Sequence, residues 1–186
     1  MGFTDVVTLA RIILGFLTVQ PMSGYDLIRA FRTSAAYFWN ADKAQIYRTL
    51  SRLVEAGHAR KEIVPGRDAP DRAVHHITDA GRHALTEWLQ SDPAEQPERD
   101  AFIARIFFAG SLEVEALQGV IGLRLEAARS SLGELRALRS SVPSPDPGHD
   151  RAGWLRSMTL DHGIRTNETH IDWLEQLLAG LGGERS

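Results

Sequence analysis

Apolar residues near the start of the chain recur at helical spacing. Leu9, Ile12, Ile13, Phe16 and Leu17 fall at i, i+3, i+4, i+7 and i+8, which sets one stripe of a helix against a core. Gln20-Pro21 ends that helix. Ser23 offers an N-cap hydroxyl to a second helix, on which Gly24, Leu27, Ile28 and Phe31 share a face as far as about Arg32. Thr33 to Ala41 reads as a connector. Asp42 then caps a third helix, with Ile46, Leu50, Leu53 and Val54 inward and Gly57 just past its end.

After Gly57 the period changes. His58 to Val64 is too short for a helix, Pro65 to Asp71 is dense in turn residues, and Arg72 to Ile77 returns as a second strand. Thr78 caps a fourth helix whose apolar face is Gly81, Leu85, Trp88 and Leu89. Three helices, a two-stranded hairpin and a fourth helix make the winged helix-turn-helix plan, in which the third helix enters the major groove and the hairpin tip meets the DNA backbone. The fold alone does not establish DNA binding.

The segment Ser91 to Pro97 is polar and holds two prolines, so the expected junction lies there, between a winged-helix domain at 1–90 and a helical domain at 98–181. Arg99 to Ala109 carries Phe102, Ile103, Ile106 and Phe107. From Ser111 a long helix carries Val114, Leu117, Ile121, Leu125, Ala128, Leu132, Leu135 and Leu138, close to a heptad seam. Val142 to Gly148 breaks it, and a last helix runs to about Leu178 with Ile164, Ile171, Leu174, Leu178 and Leu181 on one side. Such stripes bury themselves against each other and against a second copy of the chain, so residues 99–181 are expected to hold a homodimer. Asn167, on the last stripe, either fixes register or is solvated. The fold class is mainly α: a winged helix-turn-helix followed by an all-helical antiparallel dimerisation domain.

Composition narrows the reading further. With 43% hydrophobic and 24% charged residues, the chain has ordinary globular composition and is not disordered throughout. The absence of cysteine excludes disulfides, thiolate metal sites and cysteine nucleophiles. The apolar run Val6 to Leu17 is interrupted by Arg11 and is too short to span a bilayer, so a soluble, cytoplasmic protein with no membrane partner is expected. The formal charge of -3 divides unevenly: residues 1–90 hold eleven Lys+Arg against nine Asp+Glu, so affinity for phosphate belongs to the first half.

No phosphate loop, Gly-x-Ser-x-Gly turn or His-Glu-x-x-His helix occurs, and no enzyme, cofactor or catalytic residue is expected. Adjacent His75 and His76 point to opposite faces of a strand, and His162 and His170 lie about two helical turns apart, so no metal site is expected either. On the third helix, Lys43, Gln45, Tyr47, Arg48, Ser51 and Arg52 lie largely away from the apolar stripe and supply donors that base edges and phosphates accept. Gln45 suits adenine, Arg48 or Arg52 guanine, and Lys43 a phosphate. Tyr47 fits either the core or the DNA face. Lys61, Arg67 and Arg72 bracket the hairpin loop, with Arg67 at its tip either a backbone contact or a plain surface arginine. The aromatic residues Trp88, Phe102, Phe107, Phe108 and Trp154 are either core or the lining of a site for a small aromatic or apolar effector.

Four segments in order carry a family resemblance: Met22-Ser23-Gly24-Tyr25-Asp26-Leu27, then Gln45-Ile46-Tyr47 with Leu50 and Leu53, then Gly57, then Ile77-Thr78-Asp79-Ala80-Gly81-Arg82. In these the chain resembles the PadR family of transcriptional regulators. Ile171-Asp172-Trp173-Leu174 resembles the longer dimerisation domain of one branch. Two departures stand out. Ala73-Val74-His75 occupies a strand where relatives commonly carry a basic residue and two aromatics, and Arg48 stands where many have proline. The resemblance implies a ligand-responsive repressor that binds a palindromic operator as a homodimer, and brings Ser23 and Tyr25 into the candidate DNA-contacting set. A protein-interaction module using the same winged helix or the C-terminal helices is the alternative.

Overall fold

The stripe of the first segment becomes α1 (Phe3–Val19), which buries Leu9, Ile13, Leu14 and Leu17. The computed structural model describes residues 3–65, 71–92 and 100–183, with side chains from residue 6 onward. The chain divides into two compact units, Met1–Glu95 and Gln96–Ser186.

In the first unit α1 packs with α2 (Gly24–Ala30) and α3 (Lys43–Glu55) around Leu27, Phe31, Ile46, Leu50 and Leu53. The second helix does not stop near Arg32. It continues through a wider, π-type turn, Phe31–Ala35, because Phe31 and Ala35 are both buried and the Ser34 hydroxyl donates back to the Ala30 carbonyl at 2.6 Å. The expected connector is therefore shorter.

The hairpin forms as β2 (Ala59–Val64) and β3 (Arg72–Ile77), but its sheet has three strands. Met22 and Ser23 form a short strand, β1, that pairs antiparallel with β3, Met22 opposite His75 and Ser23 opposite Val74. Two residues are too few to show alternation, so the spacing rule passes over them. The last helix of the unit, α4 (Asp79–Gln90), buries Gly81 and Ala84. Trp88 and Leu89 do not join the core: they are 36% and 67% exposed, because the helix runs past the packed layer after Leu85.

The second unit comprises α5 (Ala101–Phe107), a 3₁₀ turn (Ala109–Ser111), α6 (Val114–Ser141) and α7 (Arg151–Gly182). Ile121, Leu125, Ala128 and Leu132 of α6 meet Ile171 and Leu174 of α7. Toward the connecting loop α7 buries Gly153, Ser157, Leu160 and Gly163, mostly small residues that an apolar count does not register. Three ion pairs, Arg129–Glu175 at 2.6 Å, Arg136–Glu168 at 2.7 Å and Arg139–Asp161 at 2.7 Å, descend one helix as they climb the other, which fixes the antiparallel register. Each is partly solvated and adds little stability. Asn167 donates to the Gly163 carbonyl at 3.0 Å, so its amide is used within its own helix.

Candidate nucleic-acid interface

The third helix starts on a reciprocal cap. The Gln45 amide donates to Asp42 Oδ1 at 2.7 Å, and the Asp42 amide donates to Gln45 Oε1 at 3.0 Å. One face of α3 then buries Ile46, Thr49, Leu50 and Leu53, which turns Lys43, Tyr47, Arg48, Ser51 and Arg52 to the exposed side. Helical rotation of about 100° per residue places Arg48 and Ser51 near the centre of that outward face, flanked by Tyr47 and Arg52. The Ser51 hydroxyl donates to the Tyr47 carbonyl at 3.2 Å.

The cap changes the standing of Gln45. Pairing both ends of its amide with an adenine uses the same oxygen that accepts from the Asp42 amide; a carbonyl oxygen accepts two bonds, so the contact requires Gln45 to share that oxygen between cap and base. Residue-type counting on the outward face missed this, although the Asp-x-x-Gln pattern carries the signal.

Tyr47 is part packed and part exposed. Its ring lies over Gly24 at the start of α2, so close that a Cβ on Gly24 would come within 2.3 Å of Tyr47 Cε1. The residue as a whole stays 42% exposed, and Lys43 Nζ stands 6.0 Å from the ring centroid. The two motif segments around Gly24 and Tyr47 are thus one packing unit.

At the base of the wing the second helix and the third strand are tied together. The Ser23 side chain is buried and caps α2, accepting from the Asp26 amide at 3.2 Å while its hydroxyl donates to Asp26 Oδ2 at 2.7 Å. Ser23 therefore starts α2 and has no hydroxyl proton to spare for DNA. Arg72 Nη2 reaches Asp26 Oδ2 at 2.5 Å. Burial raises the Asp26 carboxyl, but hydrogen bonds from the Ser23 hydroxyl and amide, with the Arg72 guanidinium, outweigh it and hold Asp26 below its ordinary range. Sequence reasoning missed Asp26, because its partner lies 46 residues away.

Tyr25 is 70% exposed on the first turn of α2, and Lys61 is exposed on β2 opposite His75. Arg67 lies outside the described residues. On the wing strands Glu62 accepts from Arg60 at 3.1 Å and sits 3.0 Å from His76 Nε2, so part of the local positive charge is balanced. His75 is buried, and that desolvation pushes its pKa below the ordinary value in spite of a hydrogen bond with the Met22 backbone, with Lys61 and His76 adding in the same direction.

The start of α4 is locked to the corner before the wing. Thr78 Oγ1 donates to the Gly57 carbonyl at 2.7 Å and accepts from the Gly81 amide at 3.1 Å, and the Thr78 amide donates to the His58 carbonyl at 3.1 Å. Gly57 has φ +72, the left-handed conformation that favours glycine at a helix end.

The candidate effector residues fall in both units and do not gather into one lining within either. Trp88 belongs to α4 of the first unit. In the second, Phe102 meets His170 and Trp173 edge-on, with ring centroids at 6.4 and 6.2 Å. Phe107 and Phe108 have ring centroids 4.9 Å apart and are mostly exposed, while Trp154 is half-buried on α7. A cleft of about 520 Å³ in this unit is lined by Ile106, Phe108, Leu112, Leu117 and Val120 with Arg105 and Ser111 among its polar members; of the five candidates only Phe108 borders it. Leu117 belongs to the apolar stripe of α6, whereas Leu112 and Val120 lie outside it. Among the described residues no cluster of His, Asp and Glu is arranged to hold a metal ion, and no helix is long and apolar enough to cross a membrane.

Comparison with known proteins agrees with this organisation. Residues 13–87 match the sequence profile described as "Transcriptional regulator PadR-like family", and residues 98–182 match "Virulence activator alpha C-term". A probable transcriptional regulator of Mycobacterium tuberculosis is 32% identical, the match covering 96% of this chain and 100% of that protein. The negative transcriptional regulator PadR of Bacillus subtilis is 25% identical, covering 90% and 93%. The crystal structure of that PadR in complex with operator DNA has a TM-score of 0.80 at 23% identity, covering 94% of this chain and 99% of that one. Its complex with p-coumaric acid gives 0.71 at 24% identity, covering 94% and 98%. At that identity the two structures are likenesses of fold.

Proposed function

This chain belongs to the PadR-like family of transcriptional regulators, and we propose that it acts in the cytoplasm as a ligand-responsive repressor that binds a palindromic operator as a homodimer and has no catalytic activity of its own. The observation that carries the reading is the outward face of α3. Lys43, Arg48 and Arg52 stand exposed on it, opposite a fully buried face, so the helix offers its cations and donors to a groove without disturbing the core. Arg48 and Arg52 are the base readers in this reading, Lys43 and Tyr25 contact phosphate, and Lys61 and Arg67 extend the backbone contacts along the wing. Gln45 pairs with adenine in this reading, through an amide whose oxygen also serves the helix cap.

A two-fold dimer reads two half-sites about 34 Å apart or at a multiple of that spacing. An aromatic or apolar effector then changes the spacing of the two recognition helices; a preference of about 3 kcal/mol for the non-binding state lowers operator affinity more than a hundredfold. The p-coumaric acid complex of the Bacillus subtilis protein supports the class of ligand.

The test is a binding titration on a duplex that the protein selects from a random-sequence library and on a scrambled duplex, each at two salt concentrations. Affinity should fall steeply with salt. Arg48→Ala should lose about 1–3 kcal/mol of discrimination between the two duplexes, whereas Lys61→Ala should weaken both alike. Binding that ignores salt would point to an apolar protein partner, and a folded Arg48→Ala that discriminates like the parent removes α3 as the reader.

A further inference from the structure

Arg72 is held in an unusual way for a surface arginine. Its side chain is 60% exposed, yet its Nη2 is fixed on Asp26 Oδ2 at 2.5 Å and lies 3.5 Å from Ser23 Oγ. Among the described residues only Nη2 is engaged, which leaves Nε and Nη1 without a bond to the carboxylate. The register explains how the pair meets. Ser23 is opposite Val74, and Arg72 lies two positions before Val74 on the same face of β3, so the guanidinium is carried over the start of α2.

Asp26 is itself well held. It is the third residue of α2, bonded to the Ser23 amide at 2.9 Å and to the Ser23 hydroxyl at 2.7 Å, and its side chain is only 27% exposed. A carboxylate anchored by two bonds to its own cap is a rigid post. A guanidinium resting on it by one nitrogen has lost most of its rotamer freedom before any partner arrives, and binding costs less when that freedom is already spent.

We propose that Asp26 is a positioning residue for DNA binding: it holds Arg72 at the base of the wing so that the remaining guanidinium donors meet a backbone phosphate. The proposal rests on the reading of the chain as a DNA-binding regulator. The pair carries no net charge, so it adds little to general attraction for DNA. Its contribution is geometric, and it favours the duplex on which the recognition helix is already seated.

The probes are the selected and scrambled duplexes described above, with the full chain and its variants Asp26→Asn, Asp26→Glu, Arg72→Ala and the double variant Asp26→Asn/Arg72→Ala. Asparagine keeps an oxygen for the Ser23 amide, so the cap survives, and an unfolding curve checks this for each protein. Asp26→Asn and Arg72→Ala should each bind the selected duplex about tenfold more weakly, the size of one oriented charge-assisted hydrogen bond. The double variant should lose no more than Arg72→Ala alone, because Asp26 acts through Arg72. On the scrambled duplex Asp26→Asn should bind as well as the parent or better, having shed an acidic charge. Asp26→Glu should recover most of the affinity for the selected duplex. Removing Arg72 should also reduce the salt slope by about 0.9 for each phosphate no longer neutralised, close to two in a dimer.

Additive losses in the double variant, or an Asp26→Asn protein that binds the selected duplex like the parent, overturn the proposal and leave the general reading intact. An Asp26→Glu protein that folds but stays as weak as Asp26→Asn also counts against it. A parent chain that binds neither duplex in a salt-dependent way overturns the general reading instead.

Discussion

Replacing Gly81 by alanine separates local helix preference from tertiary packing, because the two predict opposite signs. Gly81 lies in the first turn of α4, where alanine instead of glycine would by propensity alone stabilise the helix by about 0.5–1 kcal/mol. A Cβ at this position, however, would stand 2.0 Å from the His58 carbonyl oxygen and 3.0 Å from Ile77 Cγ1. Carbon–oxygen contacts normally close no nearer than about 3.3 Å, so the overlap exceeds about 1 Å. A carbonyl oxygen belonging to the turn cannot swing aside as a side chain can. The start of α4 must move, which stretches the Thr78 hydroxyl bond to Gly57, at 2.7 Å, and the Thr78 amide bond to His58, at 3.1 Å. Two such bonds at about 1 kcal/mol each, with about 1–3 kcal/mol for overpacking, outweigh the propensity gain and leave a net loss of about 2–4 kcal/mol. A urea unfolding curve of the full chain, followed by circular dichroism, should show the midpoint falling by about 1–2 M for a slope in the usual range for small domains. Hydrogen exchange should rise in α4 and β3. A Gly81→Ala protein as stable as the parent, or more stable, would refute the claim that the His58 carbonyl is a rigid wall.

Gly24→Ala meets a different neighbour, the far end of the Tyr47 side chain, which can rotate outward; we expect less than about 1 kcal/mol of lost stability but a severalfold loss of affinity for the selected duplex, read from paired unfolding and binding curves. For His75 the folded-state pKa lies below its ordinary 6.5, so the stability it contributes is present above pH 6.5 and is lost as pH falls through the folded value. The unfolding midpoint should therefore drop between about pH 7.5 and about pH 5.5, and a His75→Gln protein should show a flatter profile; equal slopes would remove His75 from the account. Leu123 is 72% exposed on α6, and if residues 99–181 hold the homodimer, Leu123→Glu should weaken self-association in sedimentation velocity while leaving helix content unchanged. An unaltered dimer would move the interface to another face.

What the amino-acid pattern made legible, and what it did not, follows from the range over which each signal acts. The third helix was readable because thirteen residues from Lys43 to Glu55 repeat one buried face behind an aspartate cap. The hairpin was readable because turn residues separate two runs of strand length. The two residues of β1 carry no period, and their pairing with His75 and Val74 depends on a hairpin far along the chain, so no local rule finds them. The same distance hid Asp26 from Arg72, which the sequence places at the wing and the fold tethers to α2. On α7 the packed surface near the loop is built largely of Gly153, Ser157 and Gly163, whose contribution is closeness of backbones and not apolar area, so a count of large side chains sees nothing there. Gln45 shows a subtler limit. Periodicity places it toward the outer face, yet its oxygen already accepts from the Asp42 amide at 3.0 Å. Direction is a property of spacing, whereas availability depends on which donors and acceptors the fold has consumed. A candidate DNA contact must satisfy both conditions, and on α3 Gln45 meets the second only by sharing an oxygen with the cap.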